Sequence, residues 1–464
     1  MRTFTLTLIS LSLCAPSALA EGHDPLWAAT GDETPSAALC SGAEDAPRRL
    51  CVGGRFTTIA HMHNDSDFDP TPRFFDPNGQ TDGQAATFLR SYVRYETGAS
   101  LHVNYEMEVG WNAWSRHDPG KPDAFLPGDG GGLAYRHRQL FADARLSEQV
   151  RVRAGFQEIK DPSGLFLDHL GGALVLEYKD ANRTSALWIG QLPDSTYEGV
   201  AVSDDNFIHD NVFGGLTYIY NLGAHQKVDF ALMGLSDHRA VDRPLTLGAL
   251  VLGFRHEHPR YQAWAHGVVQ AGVWEGSGVA GVDQDIFAWA GQVGVRSRHG
   301  KLLWGMNAFA LSPDDTHDGN GTIGTFFGAG KNRSATTLLT EDEYRDRYDN
   351  FDERMGTPWG PFLNHGAGLA VVDVTVGYRA TDCWTTRLVI GDAMNIEAAN
   401  ALDKGHAGLE FSWLNDVAIS EDVVAFAHAQ LLVPDEGLAV FANDVDRSAT
   451  ELLYGGEIGI TARF

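Results

Sequence analysis

From Leu101 to Trp114 the chain reads LHVNYEMEVGWNAW, and apolar and polar side chains alternate throughout. Leu101, Val103, Tyr105, Met107, Val109, Trp111 and Ala113 fall on one parity; His102, Asn104, Glu106, Glu108 and Asn112 fall on the other. Successive side chains of a β-strand point to opposite faces, so the pattern predicts a strand with one apolar and one polar face. Soluble strands run to about five or six residues. This one reaches the roughly nine to eleven that a tilted strand needs to cross a bilayer.

The pattern recurs. Val150, Val152, Ala154 and Phe156 alternate with Arg151, Arg153 and Gln157; Ala370, Val372, Val374, Val376 and Tyr378 alternate with Asp373, Thr375 and Arg379. Reading such runs along the chain predicts strands at 52–62, 86–97, 101–114, 133–146, 149–158, 171–179, 184–192, 211–221, 225–235, 245–256, 260–274, 285–298, 300–312, 367–379, 383–393, 404–414, 421–433 and 451–464. That is about eighteen, an even number, as closed bacterial barrels require. The connections alternate between long segments (63–85, 115–132, 193–210, 313–366) and tight turns (Gly98–Ser100, Asp180–Arg183, Ala380–Asp382). Short periplasmic turns and long outer loops give that alternation. Trp111, Phe156, Tyr378 and Trp413 on the apolar parity would form interfacial girdles. The last strand ends on Phe464, an aromatic terminus of the kind that barrel assembly machinery reads. The expected fold class is therefore all-β, a transmembrane antiparallel barrel in the outer membrane of a Gram-negative bacterium, in contact with outer-membrane lipid and lipopolysaccharide.

The domain plan follows. Residues 1–20 read as a signal peptide, with Arg2, an apolar stretch from Phe4 to Leu13 and an Ala-Leu-Ala cleavage site. Residues 21–50 read as a periplasmic N-terminal segment and 51–464 as the barrel. No later stretch is long and apolar enough for a transmembrane helix, so only a closed barrel could span a membrane. Cys40 and Cys51 close a short loop and are expected to form a disulfide in an oxidising periplasm. With 35 basic and 61 acidic residues the formal charge is −26, which excludes nucleic acid as a partner.

Candidate chemistry sits on the polar parity. Arg90, Arg94, Arg136, Arg138, Arg151, Arg153 and Arg379, with Asp373 among them, are the predicted pore-lining residues. Guanidinium forks on one wall could replace hydration around a passing carboxylate or phosphate. The same arginines could instead pair with luminal Glu96, Glu106, Glu108, Glu158, Asp229, Asp373 and Glu410 and stiffen the barrel. The long connection 313–366 opens PDDTHDGNGTIGTFFGAG. Asp314, Asp315 and Asp318 are spaced like a calcium-binding turn, but a glutamate at position twelve is missing, and an acidic loop without metal is the preferred reading. No cofactor is otherwise implied. A loop of this length is rarely idle and would gate or constrict the lumen. Neither a G-x-S-x-G elbow nor an H-E-x-x-H pair occurs, so no enzyme is predicted.

Two stretches, VRVRAGFQEIKDPSGLFLD (150–168) and FALSPDDTHDGNGTIGTFFGAG (309–330), resemble the alginate export family of outer-membrane barrels. That resemblance implies eighteen strands and an arginine-lined pore for an anionic polysaccharide, with Arg151 and Arg153 in its wall and 313–366 as its gate. Phe156 stands where a basic residue would fit the family strand. The resulting expectation is a passive channel for an anionic polysaccharide or small anionic solute. The alternatives are a general nutrient porin and, in another class, a surface-binding or adhesion barrel with a closed lumen.

Overall fold

The computed structural model describes residues 39–41, 48–63, 82–98, 100–111, 133–191, 211–238, 244–276, 282–314, 321–328, 330, 334–336, 368–397, 405–435, 437 and 452–464. The segment expected as a signal peptide lies outside them. A two-residue strand, β1 (Leu39–Cys40), precedes β2 (Arg48–His63), β3 (Asp82–Thr97), β4 (Leu101–Trp111), β5 (Leu133–Arg145), β6 (Val150–Lys160), β7 (Asp168–Lys179), β8 (Arg183–Gln191) and β9 (Asn211–Asn221). There follow β10 (Gln226–Asp237), β11 (Leu245–His258), β12 (Tyr261–Trp274), β13 (Gln284–His299), β14 (Leu302–Leu311), β15 (Leu369–Arg379), β16 (Trp384–Met394), β17 (His406–Ala418), β18 (Val423–Pro434) and β19 (Leu453–Arg463).

Each strand from β2 to β19 pairs antiparallel with its neighbour in sequence, and β19 closes on β2 from Gly455↔His63 to Arg463↔Arg55. Among the described residues this makes a closed barrel of eighteen strands, as the periodicity predicts. At the seam the backbones of Gly54 and Phe464 exchange hydrogen bonds of 2.8 and 3.0 Å. A Cβ on Gly54 would stand 2.6 Å from the Phe464 ring, so the terminal aromatic needs a glycine beneath it. Below Phe464, β1 continues the line of β19 along the edge of β2, and Cys40 is bonded to Cys51.

Closure also explains the outer surface. Leu232, Phe287 and Ile458 are 56%, 61% and 62% exposed, and they belong to a belt of outward aliphatic and aromatic side chains. So wide an apolar surface suits lipid contact rather than water. Tyr220, Tyr261, Trp304, Tyr378 and Trp384 stand exposed at or near the tight-turn end, where an aromatic girdle belongs. Trp413 is exposed but lies in mid-strand, with its indole N–H donating to Thr386 Oγ1 at 2.9 Å.

Several boundaries differ from the sequence reading, and two have a clear cause. β2 begins at Arg48 because β3 pairs with it down to Thr97. β17 continues through Asn415-Asp416, which reads as a turn, because Asp416 accepts from Arg387 Nη2 at 2.9 Å and the strand stays paired with β16 and β18.

Candidate functional site

Much of the interior is not polar. On β10, β11 and β13 the inward side chains nearest the long-connection end are Ala231, Met233, Leu235, Leu245, Leu247, Ala249, Ile286 and Ala288, all buried. These strands carry apolar residues on both faces over that stretch. What covers the inner one is chain that folds in from two long connections.

The first is 161–167, between β6 and β7. Its Asp161 carboxylate accepts from the backbone N–H groups of Ser163, Gly164, Phe166 and Leu167 at 2.7–3.1 Å. The Ser163 hydroxyl donates to it as well, at 2.5 Å. That knot turns the chain so that Leu165, Phe166 and Leu167 bury against the wall. Gln292 of β13 secures it, with Nε2 donating to the Ser163 carbonyl at 2.6 Å.

The second lies in the β14–β15 connection. Ile323 pairs along the upper edge of β13, donating to Asp285 O at 2.7 Å and accepting from Phe287 N at 3.0 Å. The chain then turns inward, and Phe326 and Phe327 are fully buried. Gln270 of β12 grips the Phe327 peptide from both sides, Nε2 to its carbonyl at 2.5 Å and Oε1 from its N–H at 3.1 Å. The two segments touch at backbone level: a Cβ on Gly330 would fall 2.1 Å from the Leu165 carbonyl. Asp373 of β15 takes the far side, accepting from Ser334 Oγ at 2.9 Å and Ala335 N at 3.2 Å, with Asn307 Nδ2 at 3.1 Å. Asp373 thus anchors a loop rather than standing bare in the wall.

The wall from β19 through β2 to β6 is different. Arg463, Arg55, Arg90, Glu108 and Arg136 occupy one continuous register row across five strands. Adjacent strands lie about 4.8 Å apart, so the row spans roughly 19 Å. Tilted strands make such a row climb the barrel. It runs from the tight-turn end of β19 to near the opposite end of β5. The side-chain positions of Glu108 and Arg136 lie outside the described residues. Arg55 is not among the predicted pore-lining residues, although it shares its parity with buried Ile59.

Most of these arginines have carboxylates. Glu106 lies 3.4 Å from Arg90 Nε and 3.2 Å from Arg138 Nε, so one acid serves two guanidiniums. Arg138 is the extra residue of a bulge where the β4–β5 register shifts after Glu106, which is why it turns inward beside Gln139. Arg94 pairs with Glu96 at 2.9 Å. Arg151 holds Asp143 in a fork. Arg153 faces that same Asp143 across the β5–β6 register, but among the described residues no carboxylate pairs with it. Arg151 and Arg153 are therefore unequal. Arg379 is remote from this group and donates to the Asp382 carbonyl in the β15–β16 turn at 2.8 Å. Glu158, expected in the lumen, lies on the parity opposite buried Gln157 and Ile159, because apolar Ile159 is the residue that packs inward there.

Two further networks stiffen the interior. Arg255 forks onto Asp229 at 2.6 and 2.8 Å, with His266 Nε2 at 3.2 Å. His428 sits between Glu457, at 2.7 Å, and Asp416, at 3.5 Å. Of the calcium-turn candidates, Asp314 is described, whereas Asp315 and Asp318 lie outside the described residues. Among the described residues no His, Cys, Asp and Glu side chains form a group of three arranged to hold a metal ion.

No protein-family model matches the sequence, and no curated protein matches it. Solved structures do. A BenF-like porin from Pseudomonas fluorescens Pf-5 matches with a TM-score of 0.56 at 11% identity, over 89% of this chain and 98% of its own. Pseudomonas aeruginosa OccK9 (OpdG) matches with a TM-score of 0.56 at 11% identity, over 90% and 98%. Acinetobacter baumannii OccAB4 matches with a TM-score of 0.54 at 10% identity, over 91% and 99%. The shared property is the fold, a porin-like barrel. This likeness gives no support to the alginate export resemblance drawn from 150–168 and 309–330.

Proposed function

We propose that the protein is an outer-membrane diffusion channel of the porin type, with a preference for small anionic solutes. The carrying observation is the unequal interior: loops fill the β7–β15 side, and arginines line the β19–β6 side with Arg153 lacking a carboxylate among the described residues. A guanidinium without a carboxylate partner, in a water-filled passage between low-dielectric walls, attracts anions and forms forked contacts with carboxylate or phosphate. The inward segments favour small solutes over a chain-like polysaccharide, which would have to thread past them. The porin-like fold of the matched structures supports diffusion without nucleotide or cofactor.

The test is single-channel conductance of refolded protein in planar bilayers, with the reversal potential read in a salt gradient. An anion-selective current is expected. Arg153→Gln should move the reversal potential toward zero, whereas Arg151→Gln should move it further because it frees Asp143. A cation-selective wild type would overturn the anionic reading and leave a general porin. Folded protein that never conducts would favour a binding barrel with a closed lumen.

A further inference from the structure

At the end of β17 away from the tight turns, one imidazole touches two carboxylates. His406 Nε2 lies 2.7 Å from Asp392 Oδ1 on β16, and Nδ1 lies 2.8 Å from Asp435 Oδ2, just past β18. All three side chains are well exposed, at 44%, 43% and 52%, so the cluster belongs to the watery rim rather than the membrane-crossing part of the wall. A register shift between Ala393 and Met394 sets His406 opposite Met394 and gives it this reach. The segment after β18 is bound to the same place by Asp435 N to Ala407 O at 2.9 Å and by Asn395 Nδ2 to Gly437 O at 3.0 Å.

A neutral imidazole has one N–H and one lone pair. With carboxylates at both nitrogens, a neutral ring must point its lone pair at an anion. Only the imidazolium donates to both. We infer that His406 is a proton-operated latch, which when charged ties the segment after β18 to the ends of β16 and β17. Asp392 and Asp435 are the charged groups that face it from the two neighbouring elements among the described residues. Partial burial opposes the charge, but the hydrogen bonds to Asp435 and then Asp392 outweigh it and hold the imidazole above its usual range. The sign follows: a raised folded-state value means the latch is complete below the ordinary histidine value of about 6.5 and opens as pH rises through the raised one.

The test compares wild type with His406→Gln by the heat-modifiable unfolding midpoint, from about pH 5.5 to about pH 9. Wild type should be the more stable at the acid end, and the gap should close with rising pH. Asp392→Asn, which keeps the histidine, should fold and move the closing point down by about one pH unit. Hydrogen exchange of peptides covering 405–437 should show the same loosening, beyond the intrinsic rise with pH, in wild type and at lower pH in Asp392→Asn, but not in His406→Gln. A gap that stays constant with pH, or exchange identical in all three proteins, would overturn the latch. Neither readout depends on what the channel passes.

Discussion

The β10–β13 wall and the β2–β6 wall are built on the same strand geometry, yet they handle the inner face in opposite ways. On β11, Leu245, Leu247, Ala249 and Val251 point inward and are buried by chain folding in from the connections. On β3, Arg90, Tyr92 and Arg94 point inward; Arg90 and Tyr92 meet Glu106 and Asn104 of β4, and Arg94 meets Glu96 of its own strand. One wall is a conventional hydrophobic core inside a membrane protein. The other is an ion-pair lattice. A barrel that must hold a loop rigidly against thermal motion can do so by burying aromatics, which gain about 1.5–3 kcal/mol each. A wall that must stay wet cannot. There the charges are kept in place by neighbouring charges, and selectivity arises where the pairing is incomplete.

The largest effect should come from emptying the apolar wall. Phe327→Ala removes a fully buried ring, a change that costs about 3–5 kcal/mol in a core. The segment should leave its place, and unitary conductance should rise well above wild type while the barrel still resists SDS at room temperature. Unchanged conductance would mean that this segment does not bound the passage, and the contrast between the walls would lose its functional meaning. Gly330→Val should act in the same direction by forcing the two segments apart, since any Cβ there meets the Leu165 carbonyl.

Next in size is Glu106→Gln in the charged wall. Glu106 sits between Arg90 and Arg138, and Gln139 Nε2 donates to it at 3.2 Å. Removing one partner of a buried ion pair costs about 3–5 kcal/mol, most of it the penalty of the charge left behind. Two arginines lose their shared acid. The barrel should therefore be less heat-stable and more anion-selective at once. A stability loss without a selectivity change would show that this row is structural filling and that ions travel elsewhere.

The alternation made the barrel legible in the sequence: strand number, most turn positions and closure follow from period-two runs joined by alternately short and long connections. The interior was only half legible. A run such as Leu245–Phe254 is apolar on both parities, and periodicity alone says that both faces are buried without saying by what. The burying partners, Phe326 and Phe327, lie far along the chain in a connection with no periodicity. The pairing state of each arginine was equally hidden. Arg151 and Arg153 look identical in VRVRAGF, and only side-chain geometry separates them: the β5–β6 register sets Arg153 opposite Asp143, yet it is Arg151 that forks onto the Asp143 carboxylate. At Arg138 a bulge reverses the strand's parity, so that Gln139 and Asp143 beyond it also face inward, which a period-two reading could not show.

The smallest expected effect tests whether wall charges, rather than charges at the entrance, set selectivity. Asp180 lies in the tight turn between β7 and β8, beneath the plugged wall. It accepts from Asn182 N at 2.9 Å, Arg183 N at 3.0 Å and Arg183 Nε at 2.8 Å, while the Arg183 guanidinium lies 5.1 Å over the Tyr178 ring. The Asn182 N–H first, and then Arg183, hold this exposed carboxyl below its ordinary range. A lowered value means that any stabilisation is present above the ordinary carboxylate range and is lost as pH falls through the lowered one. Asp180→Asn should thus differ slightly from wild type in unfolding midpoint near neutrality and converge with it in acid. Full exposure and salt screening keep the difference small. The substitution deletes a negative charge at the channel's end yet touches neither wall. The reversal potential should therefore stay where it is, and at low salt, where entrance charges are felt most, it should still move far less than with Arg153→Gln. A shift as large as that of Arg153→Gln would assign selectivity to the rim, and the two walls would then differ only in how they are held together.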